Sequence, residues 1–165
     1  MKQLLLIRHA KSSWKHPELD DHDRPLNKRG KRDKVDMGQR LNSKKHSIEI
    51  AFVSSAERAL KTFKGINKQL TEQMSFIVDP ELYTFSADRL IQYIYNLDNQ
   101  YQFIALVGHN PAITEAVNRL TNKYIENVPT CGMIKINFDT DDWDSVSKQN
   151  STIDWFDYPK NSEHL

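Results

Sequence analysis

Phe103-Ile104-Ala105-Leu106-Val107-Gly108-His109-Asn110-Pro111 is the stretch that decides the fold. Five apolar residues without alternation mark a strand buried on both faces. Asn110 as N-cap, with Pro111 at the first helical position, opens a helix almost at once. That helix carries Ala112, Ile113, Ala116, Val117 and Leu120 on one face. A doubly buried strand running into an amphipathic helix is the repeating unit of an α/β sheet.

The same pattern recurs on either side. Residues 4–7, Leu-Leu-Leu-Ile, form a second doubly buried strand, and 48–53 a third. Residues 27–41 read as a helix with a thin stripe of Val35, Gly38 and Leu41. Ala59, Phe63, Ile66 and Leu70 recur at helical spacing. Phe76-Ile77-Val78 is a further strand, stopped by Pro80. Ser86 caps a helix whose inner face is Leu90, Ile91, Ile94 and Leu97. Residues 133–138 and 152–156 read as late antiparallel edge strands. The polar stretches 15–24 and 140–151 read as surface loops. The expected fold is therefore α/β: a three-layer α/β/α sandwich with a mostly parallel central sheet and an antiparallel edge. At 165 residues the chain is expected to be one domain over 1–165.

Composition removes several classes of function. Lys plus Arg is 23 against 22 Asp plus Glu, so no bulk field gathers nucleic acid or anionic membrane. Any anion site must be local. No apolar run reaches membrane-spanning length, and Arg8 and His9 interrupt the first one, so no signal peptide is expected. The single cysteine, Cys131, rules out an intrachain disulfide, and a cytoplasmic location is the expectation. Cys131 lacks the arginine spacing of a cysteine phosphatase loop and is expected to pack in a strand. No P-loop and no His-Glu-x-x-His occurs. Asp139, Asp141, Asp142 and Asp144 lack the glycine and terminal glutamate of a calcium loop.

In parallel sheets ligands bind beyond the carboxyl ends of the strands. That rule selects Arg8-His9-Ala10, Ser54-Ser55-Ala56-Glu57-Arg58 and Gly108-His109-Asn110. Two histidines and two arginines then share one rim. Arginine forks match phosphate oxygens, and the helix opening at Asn110 would add backbone N–H groups. A neutral histidine held among them is a nucleophile, and no metal is needed if cations and His109 neutralise the phosphate.

The residues at these positions resemble a known family. Leu5-Leu6-Ile7-Arg8-His9-Ala10-Lys11-Ser12 is similar to the Arg-His-Gly signature of the histidine phosphatase, or phosphoglycerate mutase-like, superfamily. Asp23-Arg24-Pro25-Leu26-Asn27-Lys28-Arg29-Gly30 resembles its Pro-Leu-Thr-x-x-Gly segment. Ser54 to Thr62 resembles its Ser-x-x-x-Arg-Ala-x-x-Thr segment, and Val107-Gly108-His109-Asn110 its second histidine motif. Ala10 departs from the usual glycine. Lys15 stands where the mutases carry a phosphate-contacting asparagine, and the short chain has no room for their insertions. The form looks most like the compact SixA-like phosphohistidine phosphatases.

The resemblance implies the phosphoglycerate mutase-like fold and a metal-independent phosphatase without cofactor. It implies His9 as phosphoryl acceptor, with Arg8, Arg58 and His109 around the phosphate. Glu81 resembles the family's acid, or is a solvated loop carboxylate. Arg24 and Ser12 are candidate substrate-binding residues. Asp20, Asp21, His22 and Asp23 offer a metal-binding reading but read rather as a solvated loop, and Trp14 either lines the mouth or caps the core. Implied partners are a phosphorylated protein or a small phosphorylated metabolite. A phosphate-binding interaction module with little turnover is the alternative of another class.

Overall fold

The computed structural model describes residues 1–161; residues 162–165, which the single-domain expectation includes, lie outside the described residues. Chain order is β1 (Lys2–Arg8), α1 (Lys28–Ser43), β2 (Ile50–Ser54), α2 (Glu57–Lys68), β3 (Phe76–Asp79), α3 (Ala87–Tyr95), β4 (Phe103–Gly108), α4 (Ala112–Leu120), β5 (Met133–Phe138) and β6 (Ser151–Asp157). The six strands form one sheet in the order β3-β2-β4-β1-β5-β6. β3, β2, β4 and β1 run parallel, while β5 and β6 form the antiparallel edge.

The apolar runs are continuous because both sheet faces are covered. Leu4 and Leu6 point to the layer of α3 and α4, packing with Ile91, Ile94, Ile113 and Val117. Leu5 and Ile7 point to the layer of α1 and α2, packing with Leu41, Ala59, Phe63 and Ile66. All four strand residues are fully buried, each worth about 1.5–3 kcal/mol relative to exposure. Asn27 caps α1 by accepting from Gly30 N at 2.8 Å. A Cβ at Gly30 would collide with the Lys11 carbonyl oxygen, so this glycine lets α1 lie against the chain leaving β1. Ser86 caps α3 through Arg89 N.

Four expectations are corrected. α1 buries Met37 beside Gly38 and Leu41, with Val35 only partly covered. α4 begins at Ala112, with Pro111 at the cap; Asn110 Oδ1 reaches Thr114 N at 3.1 Å. Cys131 lies in the turn before β5 with φ 61°, and its N–H donates to the His9 carbonyl at 3.0 Å. Residues 140–151 are more than a surface loop, because Trp143 is fully buried and its Nε1 donates to Tyr101 O at 3.0 Å. β3 is an edge strand whose Phe76, Ile77 and Val78 stay exposed.

Candidate active site

The parallel register sets the site. Arg8 pairs with Gly108 across β1 and β4, and Val53 with Val107 across β2 and β4. The three strands therefore end side by side, delivering Arg8-His9, Ser54 and His109 to one rim. α2 follows β2 within three residues and places Arg58 in its first turn.

His9 is fixed by its backbone on both sides: its N–H donates to Gly108 O at 3.1 Å and its carbonyl accepts from Cys131 N at 3.0 Å. Its Nδ1 lies 2.7 Å from Ala10 O. A carbonyl only accepts, so Nδ1 carries the proton and Nε2 keeps its lone pair. The Ala10 peptide is held in turn, its N–H donating to Thr62 Oγ1 at 2.8 Å while Thr62 donates to Arg58 O at 2.7 Å. Burial, with Arg58, Arg8 and Arg24 nearby, pushes the His9 ring down to about 3, against the upward pull of the Ala10 bond.

His109 lies tilted to His9, ring centroids 5.2 Å apart. Its Nε2 is 2.7 Å from Ser54 Oγ, which also accepts from Ala56 N at 3.3 Å. With the serine hydroxyl donating to Nε2, the proton of the neutral ring sits on Nδ1. That Nδ1 is buried and has no protein partner. Burial first, then the neighbouring His9 and Arg58, push His109 down to about 3 as well.

Arg8 Nη1 donates to Val128 O at 3.0 Å, and Arg58 donates to Asp21 through Nη1 to the carbonyl at 2.6 Å and Nη2 to the carboxylate at 2.9 Å. The Nε of each is buried without a partner. Arg8 Nε, Arg58 Nε and His109 Nδ1 are thus three orphaned donors on the residues around a lone-pair nitrogen. Unmade buried hydrogen bonds are costly, and an anion supplying several acceptor oxygens would satisfy them.

Of the other expected residues, Arg24 is buried beside the site. It donates to Ser12 Oγ at 2.8 Å and Ser13 O at 3.2 Å, and its guanidinium lies 3.6 Å from the Trp14 ring. Ser12 thus props Arg24. Trp14 does not cap the core: it is 75% exposed, and with His16, Pro17, Leu19, Asp21 and Arg24 it walls a cleft of about 200 Å³. Asn110 turns to the loop before β5, donating to Asn127 Oδ1 and Val128 O, both at 3.0 Å. It therefore steadies the carbonyl that holds Arg8. Glu81 makes no hydrogen bond or ion pair with His9. Its side chain is exposed and lines a separate cleft with Phe52, Asp79, Arg89, Gln92 and Tyr93.

Asp21 and Tyr83 are neighbours of the site that the sequence does not single out. The 15–24 stretch is polar, yet its Asp21 is a hub. Oδ2 accepts from Arg58 and from Tyr83 OH at 2.6 Å, and Oδ1 from Arg24 Nε at 3.1 Å. Burial alone would raise the Asp21 carboxyl, but the bonds from Tyr83, Arg58 and Arg24 outweigh it and hold the group well below the usual carboxylate range. The Tyr83 ring packs edge-on against His109 at 5.4 Å. The signal available in the sequence was the i, i+3 spacing of Asp21 and Arg24. Among the described residues, no group of three or more His, Cys, Asp or Glu side chains is placed to hold a metal ion. No helix among them is long and apolar enough to cross a membrane.

The chain is similar to an uncharacterised chloroplastic protein of Arabidopsis thaliana, 28% identical over 93% of this chain and 74% of that protein. Its fold matches the solved structure of the protein histidine phosphatase SixA complexed with tungstate, at TM-score 0.79 and 24% identity, over 95% of this chain and 97% of that one. It also matches a mycobacterial glucosyl-3-phosphoglycerate phosphatase complexed with VO3, at TM-score 0.69 and 12% identity, over 96% of this chain and all of that one. The model of the histidine phosphatase superfamily, branch 1, matches residues 4–89, a little over half of the sequence, taking in Arg8, His9, Arg24, Arg58 and Glu81. His109 lies beyond that match, and the fold supplies it from the neighbouring strand: the chain belongs to the histidine phosphatase superfamily, branch 1.

Proposed function

We propose that this phosphatase hydrolyses phosphohistidine on protein through a covalent phosphoryl group on His9. The observation that carries the reading is the set of three orphaned donors, Arg8 Nε, Arg58 Nε and His109 Nδ1, on the residues that neighbour the His9 ring. They suit the spread of negative charge over a transferring phosphoryl group, so arginines and a neutral histidine do what a metal does elsewhere.

In the first step the P–N bond of the substrate breaks as the P–Nε2 bond to His9 forms. If the departing imidazole is protonated on its far nitrogen, the bonding pair returns to the near nitrogen and a neutral ring leaves. His9 keeps its Nδ1 proton, held by Ala10 O, and becomes a phosphoimidazolium. Water then attacks phosphorus, its proton stays with the released phosphate, and the lone pair returns to Nε2. No general acid enters either step. An alkyl ester would need one, because an alkoxide leaves poorly. Asp21 is held as a carboxylate, His9 and His109 are neutral, and Glu81 faces another cleft. A protein substrate is favoured by the open mouth, where Trp14, Leu19 and Phe85 are exposed and Phe85 stacks edge-on against His109 at 5.5 Å.

Labelling with a radiolabelled phosphorylated substrate, quenched in alkaline detergent, tests this. Label is expected on His9, labile in acid and stable in base. Tungstate is expected to compete with substrate, and turnover to persist in EDTA. Label on Ser12, Ser54 or Cys131, or turnover restored only by added Mg²⁺ or Zn²⁺, would falsify the reading.

A further inference from the structure

Asp21 sits between the phosphate-facing cations and solvent. The Arg58 side chain is 2% exposed, whereas the Asp21 side chain bound to it is 43% exposed. Its carboxylate also faces the cleft walled by Trp14, Leu19 and Arg24. Asp21 reaches the rim through Arg58, which it binds, and through Tyr83, whose ring packs against His109 at 5.4 Å, and its charge acts on the His109 ring. The carboxylate is anchored at both oxygens, by Arg58 and Tyr83 on one and Arg24 on the other, so it cannot swing aside freely.

We propose that Asp21 is a specificity-determining residue: its fixed carboxylate selects phosphoramidates whose ring carries a proton on the far nitrogen, so that the ring departs neutral, and rejects phosphate compounds whose leaving group carries a negative charge. The inference rests on the phosphatase reading and sharpens its substrate class. The carboxylate stabilises the ring proton on the far nitrogen of a phosphoimidazolium. That proton stays on the ring throughout, while the P–N electron pair returns to the near nitrogen and the phosphoryl group passes to His9 Nε2. A carboxylate on the leaving group meets repulsion at the same place. At separations of a few ångströms near a protein surface, one such charge changes rates by a few-fold to about tenfold or more.

The test compares two probes that both have good leaving groups, so neither needs an acid. One is phosphoimidazole; the other is 4-nitrophenyl phosphate bearing a 3-carboxylate. Asp21→Asn keeps the side-chain size and an oxygen acceptor for Arg58. It is expected to lower kcat/KM for phosphoimidazole and raise it for the carboxylated ester, shifting their ratio by about 10-fold or more. Asp21→Glu, which keeps the charge, is expected to restore most of the wild-type ratio. If Asp21→Asn folds poorly, Asp21→Ser reads the same ratio. A parallel fall on both probes would show that Asp21 only holds Arg58, and a parallel rise would show plain repulsion of phosphate; either overturns the proposal. Failure of the wild-type enzyme to turn over either probe would overturn the phosphatase reading, and the proposal with it.

Discussion

At its N-terminal end β1 buries Lys2 completely, and the ammonium is satisfied there. It donates to Asn99 O at 2.8 Å, Tyr101 O at 3.0 Å and Gln102 Oε1 at 3.3 Å, and lies 5.5 Å from the centre of the Trp143 ring. At the other end of the same strand, Arg8 makes one bond to Val128 O and leaves a buried Nε unmet, as does Arg58, and His109 beside them leaves a buried Nδ1 unmet. Elsewhere among the described residues, Arg40, Asn137 and Asp157 each leave one buried atom unpaired, but Arg40 and Asp157 still pair with each other at 3.2 Å. The contrast separates two uses of a buried cation. A closed set of acceptors makes Lys2 part of the scaffold. An open set at the rim is what the proposed function uses to receive a phosphoryl group, and unmet buried groups of this kind are kept at some cost in stability.

The largest effect that would break this contrast is at Arg58. Arg58→Ala is expected to lower kcat on 4-nitrophenyl phosphate by about 10²–10³-fold, as loss of an oxyanion donor does. A loss of only a few-fold would mean that its orphaned Nε does not face the reacting phosphate.

Acid should separate the rim from the rest of the protein next. Both rim histidines are pushed down to about 3. Between that value and the ordinary one near 6.5, the unfolded chain binds more protons than the folded one. Stability supplied by the neutral rings is thus full above about pH 6.5 and falls as pH drops, by about 2 kcal/mol per ring at pH 5. Denaturant titrations of wild type and His109→Gln should show a shallower pH slope in the variant. Ring NMR signals of His9 and His109 should stay at neutral positions from about pH 8 to 5. Titration of either ring near pH 6.5 would mean that the rim is wet.

Lys2→Met tests the opposite end. It strands the Asn99 and Tyr101 carbonyls and is expected to cost about 1–3 kcal/mol of stability in denaturant titration, with kcat/KM unchanged. A rate change there would erase the division between the two ends. A smaller effect is expected at Ser54. Without its hydroxyl, His109 no longer has its proton directed to Nδ1, and Ser54→Ala should lower kcat/KM by roughly 10-fold, about the value of one hydrogen bond. Ser54→Thr should recover most of it, and the ¹⁵N tautomer signature of His109 should follow the rate.

Much of this was legible because it rests on runs and strand ends. The doubly buried strands declare a covered parallel sheet, and the rule about strand termini then puts Arg8, His9, Arg58 and His109 on one rim. What the sequence hides is cross-chain pairing. Asp21 reaches Arg58 across 37 positions and Tyr83 across 62. Nothing local distinguishes that carboxylate from Asp20 or Asp23. Trp143 was hidden for a related reason: its segment is polar, and one large side chain carries its burial. The Asn110 start signal misled by one residue, since the asparagine serves both helix and loop.

Glu81 gives the smallest expected effect and the sharpest use of the contrast. Its neighbour Leu82 is buried and packs in the core behind the rim, so the backbone passes close to the site while the carboxylate turns outward. Its N–H donates to Asp79 Oδ1 at 3.0 Å, and Asp79 Oδ2 accepts from Tyr93 OH at 2.8 Å. The local carboxylate engaged by the protein is thus Asp79. A dedicated acid typically contributes about 10²–10⁴-fold on a poor leaving group. If Glu81 swung to the rim in the substrate complex, Glu81→Gln would slow alkyl phosphate hydrolysis by that order and leave phosphoimidazole nearly unchanged. The outward placement instead predicts equal effects, within about twofold, on both substrates. That result would leave a phosphatase without its own proton donor, bound to leaving groups that bring their proton with them, and the rim would then owe its substrate preference to Asp21 and the orphaned donors.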